Sequence, residues 1–120
     1  MPILLKVTLY GVKQMNTLTV YHIKTTDGRE YHVAAQAFDD AIASIQQPII
    51  IRKVTTHEHV YATTFQGGYL YIIGATCNPP RHDTEYLYYV IALNIVDAIQ
   101  AIESTEIVVL SAKQFCKLDF

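Results

Sequence analysis

YHVAAQAFDDAIASIQ, Tyr31 to Gln46, decides how this chain is read, because YYVIALNIVDAIQAIE, Tyr88 to Glu103, repeats it at an offset of 57. Tyr31/Tyr88, Val33/Val90, Ala35/Ala92, Asp40/Asp97, Ala41/Ala98, Ile42/Ile99 and Ile45/Ile102 are identical, seven of sixteen positions, and the chain reads as a duplication. In the first copy Phe38, Ala41, Ile42 and Ile45 recur at i, i+3, i+4 and i+7, one apolar helix face. Ile95, Ala98, Ile99 and Ile102 do the same in the second. Asn94 stands where an N-cap belongs, three residues before Asp97, whereas Ala37 at the matching place has no side chain with which to cap. Each predicted helix is about three turns long, too short to persist alone, and must pack on a sheet. Asp40 and Asp97 read as first-turn carboxylates that suit the helix dipole rather than as a catalytic pair.

The flanking segments supply that sheet. Ile3–Tyr10 alternates apolar and polar residues, Thr17–Thr25 is rich in β-branched and aromatic residues, and Asp27-Gly28 suits a tight turn back into Glu30–Ala35. Gln47-Pro48 stops the first helix, and strands are expected at Ile49–Thr55 and Val60–Phe65, with Thr56–His59 as a hairpin connection. Gln66-Gly67-Gly68 is a turn, Tyr69–Thr76 a strand, Cys77–Thr84 a proline-bearing loop, and Glu85–Ala92 and Glu106–Ala112 two further strands. The tail, Lys113 to Phe120, ends in an aromatic ring suited to docking. The expected fold is α+β: duplicated β-β-β-α-β units in a mostly antiparallel sheet with two short helices packed on it. One domain is expected over residues 1–120, with repeats at about 1–56 and 57–113 and a tail over 113–120.

Composition narrows the function classes. Hydrophobic residues make up 51% of the 120 and charged residues 17%, below the roughly 25% usual for soluble domains, which leaves a surface short of charge and suited to a partner. A net charge of −2, with nine Lys and Arg scattered singly, gives no footprint for nucleic acid or an anionic membrane. Lys6 interrupts the apolar start, so it reads as a strand rather than a signal peptide, and a cytoplasmic location is expected. Cys77 and Cys116 have no CxxC spacing and read as free thiols.

Nine tyrosines and no tryptophan mark the chain. Tyr69 and Tyr71 share one side of a predicted strand, as do Tyr86 and Tyr88 of the next, and with Arg81 they are the candidate interface or ligand-binding residues. The competing reading is cross-strand packing under a helix. His57 and His59, two apart in an extended segment, are weak metal-ligand candidates, with His82 or Asp83 as a third ligand; exposed surface histidines are the plainer reading. His82 beside Asp83 suggests proton transfer only if other groups support it. No phosphate loop, dinucleotide fingerprint, HExxH or nucleophile elbow is present, and no cofactor is expected. In size, low charge and lack of catalytic signatures the chain resembles accessory or assembly proteins of bacterial viruses, a likeness carried by no motif. The expected function is therefore a non-enzymatic, self-associating interaction or assembly protein. The alternatives are a binder of nucleotides or sugars, and a metal-dependent enzyme using His57 and His59.

Overall fold

The computed structural model describes residues 17–64, 66–77, 79 and 85–120. The strand expected over Ile3–Tyr10, and Arg81, His82 and Asp83, lie outside them. The described elements run β1 (Thr17–Thr25), β2 (Glu30–Ala35), α1 (Phe38–Ser44), β3 (Ile51–Ala62), β4 (Tyr69–Cys77), β5 (Tyr86–Ala92), α2 (Ile95–Ile102) and β6 (Ile107–Lys117). The fold is mixed α+β, with one six-stranded sheet in the order β2-β1-β3-β5-β4-β6 and two short helices. Every neighbouring pair is antiparallel except β3 with β5, which run parallel through Tyr61/Val90 and Ala62/Ile91.

Local chemistry sets the register. The β1–β2 loop turns at Thr26-Asp27-Gly28, where Gly28 takes a φ of 88°, a left-handed conformation that costs glycine little. That turn places Val20 opposite Ala34, His22 opposite His32 and Ile23 opposite Tyr31. Arg29 braces it, its Nε donating to Asp27 and its two terminal nitrogens to the Tyr31 hydroxyl, Gln47 Oε1 and the Pro48 carbonyl. Gly68, at φ 90°, precedes β4 where a Cβ would lie 2.9 Å from the Ala92 carbonyl oxygen, so no other residue fits this turn without displacing backbone.

Alternation along the strands divides the core between the two sheet faces. Ile23, Val33 and Ala35 pack with Ala41 and Ile45 around α1, while Tyr71, Ile73, Val90 and Ala92 pack with Ala98, Ala101 and Ile102 around α2. The intervening residues Val20, Val60, Leu70 and Ile91 point to the helix-free face and form a third cluster with Leu118. Full burial of such side chains contributes about 1.5–3 kcal/mol each, which is what holds in place two helices of about two turns each, shorter than the three expected. Burial on both faces explains why β4 and the end of β5, Val90 to Ala92, read as continuous apolar runs.

Two expectations are corrected. The strands expected at Ile49–Thr55 and Val60–Phe65 are one, β3, which runs through Thr56–His59 without a hairpin. That segment has no Gly, Pro, Asn or Asp to turn on, and its Thr and His residues accept extended backbone. The extra residue is absorbed by a bulge: Leu18 pairs with Val60 but Val20 with His57, and His59 sits there at φ 58°. The second run of elements is thus β-β-α-β, its expected first strand being the end of β3, while the first strand expected of the first run lies outside the described residues. The tail is also largely strand, since β6 continues to Lys117.

Beyond β6 the last residues dock. Leu118 is buried, and its N–H donates to the Gly68 carbonyl. Asp119 N–H donates to the His32 carbonyl at 2.8 Å, and His32 N–H donates to Asp119 Oδ2 at 2.8 Å. His32 lies on β2, the strand at the opposite end of the sheet order, so the sheet curls until its two ends are clasped by one aspartate.

Candidate functional site: the start of the second helix and its tyrosine face

The register brings the four candidate tyrosines onto the face that carries α2. Tyr69 pairs with Ala92, Ile73 with Tyr88 and Ala75 with Tyr86, which sets Tyr69, Tyr71, Tyr86 and Tyr88 on one side. They do not form one open platform. Tyr71 is 3% exposed and built into the core under α2, its hydroxyl pKa raised by burial, then by nearby Tyr69 and Asp97. Tyr69 lies against it with ring centroids 6.2 Å apart, and Tyr88 packs on Tyr61 at 6.3 Å. Tyr86, at the far end of β5, is exposed. Arg81, the proposed cationic companion, lies outside the described residues.

The weak metal candidates separate at the bulge. His57 is half-buried between Tyr89, at 5.1 Å, and the edge of Phe115, at 5.0 Å, whereas His59 occupies the bulge and is exposed. Among the described residues no group of three His, Cys, Asp or Glu side chains is placed to hold a metal ion. The sheet instead gathers His57 with two histidines that sequence reasoning passed over, His22 and His32. These stack at 4.1 Å and 18°, and His22 Nε2 meets Glu30 Oε1 at 2.7 Å. The signal was present in the hairpin, since a turn centred on Asp27 places residues 22 and 32 opposite each other. Burial pushes the His32 pKa down, with repulsion from His22 and His57 adding to it and Asp119 and Glu30 opposing. Cys116 packs on the same helix-free cluster, where burial and then Asp119 push its thiol up to about 11, a poor nucleophile near neutral pH. Cys77 is also a free thiol.

A cluster of exposed apolar residues lies where β5 passes into α2. Leu93, Ile95 and Val96 are 59%, 40% and 56% exposed, three of four consecutive residues. The fourth, Asn94, caps the helix: its Oδ1 accepts the Asp97 N–H at 2.9 Å, and its Nδ2 donates to Asp97 Oδ2 at 3.2 Å. The cap fixes the entry angle, so these apolar side chains are displayed on rigid backbone rather than on a loose loop. At the matching positions before and in α1 stand Gln36, Phe38 and Asp39, two of them polar. Tyr69 adjoins the patch through its pairing with Ala92, the residue before Leu93.

Compared with known proteins, the chain matches no family, no curated protein and no solved structure. Among the described residues no helix is long and apolar enough to cross a membrane.

Proposed function

We propose that this chain is a non-enzymatic interaction protein that self-associates through the start of α2, using Leu93, Ile95 and Val96 with Tyr69 at their margin. The carrying observation is the rigid, exposed apolar triplet at a place where the first helix carries Gln36 and Asp39. Its consecutive residues Leu93 to Val96 carry no charge, and the nearest carboxylate in the chain, Asp97, is engaged with the Asn94 cap. An identical patch across a two-fold axis is its simplest complement, because both surfaces then present the same apolar groups.

Magnitudes set the strength. Three side chains about half exposed contribute roughly 1 kcal/mol each per copy, or about 6 kcal/mol for two copies, against an association cost of at least about 4 kcal/mol. The dimer is therefore weak and reversible unless Tyr69 and the sheet edge add area. Light scattering over a dilution series should show dimer giving way to monomer. The double variant Leu93→Gln, Val96→Asp installs residues that the first copy already carries, and a new carboxylate in a helical first turn does not oppose the dipole. It should be monomeric at every concentration with an unchanged circular dichroism spectrum. A wild type that stays monomeric at its highest soluble concentration overturns the reading.

Internal duplication belongs to the same proposal. In place of the expected 1–56 and 57–113, the proposed units are 17–62 and 69–117; each contains β-β-α-β with its first strand in the middle of its three, and the β1–β2 pairs Val20/Ala34 and Tyr21/Val33 resemble Leu70/Ile91 and Tyr71/Val90 in β4–β5. The resemblance to accessory proteins of bacterial viruses stays an expectation of the same kind.

A further inference from the structure

A cleft of about 750 Å³ opens beside the clasp, within the roughly 300–1,000 Å³ typical of small-molecule sites. Four separate segments of chain wall it: Tyr31 from β2, Gln46 and Gln47 after α1, Gln66 from the β3–β4 turn, and Asp119 and Phe120 from the tail. The rings of Tyr31 and Phe120 are nearly parallel, 17° apart in plane with centroids 6.3 Å apart, and Phe120 is 55% exposed. A large aromatic ring left open at the wall of a cleft, rather than folded into the core, is surface available to a ligand.

The polar groups narrow the class of ligand. Arg29, the cation nearest Tyr31, is committed to Asp27, Tyr31, Gln47 and the Pro48 carbonyl. Its guanidinium is thereby turned into the hairpin, and among the described residues that line the cleft there is no Lys or Arg. Asp119 contributes a carboxylate whose Oδ2 is held by His32 N–H, leaving Oδ1 as an acceptor. A phosphate or carboxylate would meet this aspartate with no cation among the described lining residues to compensate. Gln47 accepts from Arg29 and Tyr31 at Oε1, which fixes its amide so that Nε2 is the donor it can offer. With Gln46 and Gln66 the cleft thus combines amide donors and acceptors, one side-chain carboxylate acceptor and two aromatic rings.

We infer that this cleft binds a neutral saccharide, one apolar face of the sugar ring lying on Phe120 or Tyr31 while its hydroxyls bond to the glutamine amides and Asp119. Hydroxyls both donate and accept, which suits a lining of amides and one carboxylate better than a ligand of fixed charge does. The site also spans the clasp, drawing Tyr31 from one end of the sheet order and Asp119 and Phe120 from beyond the other. Occupancy would therefore raise thermal stability by mass action.

The test is a titration of the whole chain, isotopically labelled, with glucose, galactose, mannose and N-acetylglucosamine in turn, and with adenosine monophosphate as the anionic comparator. At least one sugar should move the side-chain amide signals of Gln46, Gln47 and Gln66 and the Phe120 ring signals, and the nucleotide should not. Phe120→Ala should weaken that sugar about tenfold, the equivalent of losing a ring contact of about 1.4 kcal/mol. Gln66→Ala, which leaves the clasp untouched, should weaken it measurably while the protein keeps its unliganded melting temperature. Silence of these signals with all four sugars overturns the inference, as does a response confined to other residues or a tighter response to the nucleotide. The Leu93→Gln, Val96→Asp variant should bind as the wild type does, which separates this result from the self-association reading.

Discussion

His32 shows how a single side chain reports the curled sheet. Its ring stacks on His22, its backbone bonds to Asp119 on both sides, and burial lowers its pKa from an ordinary 6.5. A base whose native pKa is depressed holds fewer protons in the folded state than in the unfolded state. The stability is full above the unfolded value of about 6.5 and is lost as pH falls through it toward the native value. The carboxylates titrate lower: Glu30 is held below its usual value mainly by the hydrogen bond from His22, and Asp27 is lowered to about 2 mainly by Arg29, then Thr25. Their contributions persist above their unfolded values and are lost only as pH falls through the native ones, so between about pH 7.5 and about pH 5.5 the histidine signal stands apart. Urea midpoints across that window should fall for the wild type and flatten for His32→Gln. A wild-type midpoint that does not move would show that His32 is not buried against its neighbours in solution.

The two helices differ in one cap, and the difference is measurable at the level of the element. Asn94 bonds the Asp97 amide, while Ala37 makes no side-chain bond although its backbone has the same extended cap conformation, φ −142° and ψ 158°. Asn94→Ala should cost about 1 kcal/mol, and Ala37→Asn should stabilise α1 by about 0.5–1 kcal/mol. Thermal or urea unfolding of the two single variants checks both signs. Equal and negligible effects would show that packing on the sheet alone sets the helix ends. The strands make the complementary point. β3 stays continuous through Thr56–His59 because the β1 pairing on one side and the core residue Val60 on the other hold it extended, and a bulge with His59 at φ 58° accommodates the mismatch. A non-glycine residue there stores of order 1 kcal/mol of strain that the surrounding ladder must over-determine.

For the whole molecule the decisive contact is the clasp between β2 and the residues after β6. Its chemistry is one carboxylate, one backbone amide and one carbonyl, backed by the buried Leu118. Asp119→Ala should destabilise by about 1.5–3 kcal/mol, the worth of a charged hydrogen bond, and should lose hydrogen-exchange protection at the His32 amide first. Leu118→Ala should cost about 2–5 kcal/mol by opening a cavity among Val20, Val60, Leu70 and Ile91. If Asp119→Ala leaves the His32 amide protected, the sheet ends are not joined in solution, and the saccharide cleft that borders the clasp would lose one wall.

The sequence by itself determined the local elements. Periodicity in Phe38–Ile45 and Ile95–Ile102 specified both helices, β-branched and aromatic content between turn residues specified β1, β2, β4 and β5, Asp27-Gly28 and Gly67-Gly68 specified turns, and Asn94 specified a cap, because each depends on residues within one or two turns of chain. Only the tertiary structure decided the rest. Whether Thr56–His59 turned or ran straight depended on which strand lay beside it, and the fate of the tail depended on a carbonyl 87 residues away in sequence. The gathering of His22, His32 and His57, the burial of Tyr71 beside the exposure of Val96, and the cleft built from four segments are likewise non-local. Such features arise when backbone groups and apolar faces far apart in the chain find the one arrangement that satisfies them together, and no window of sequence contains both partners.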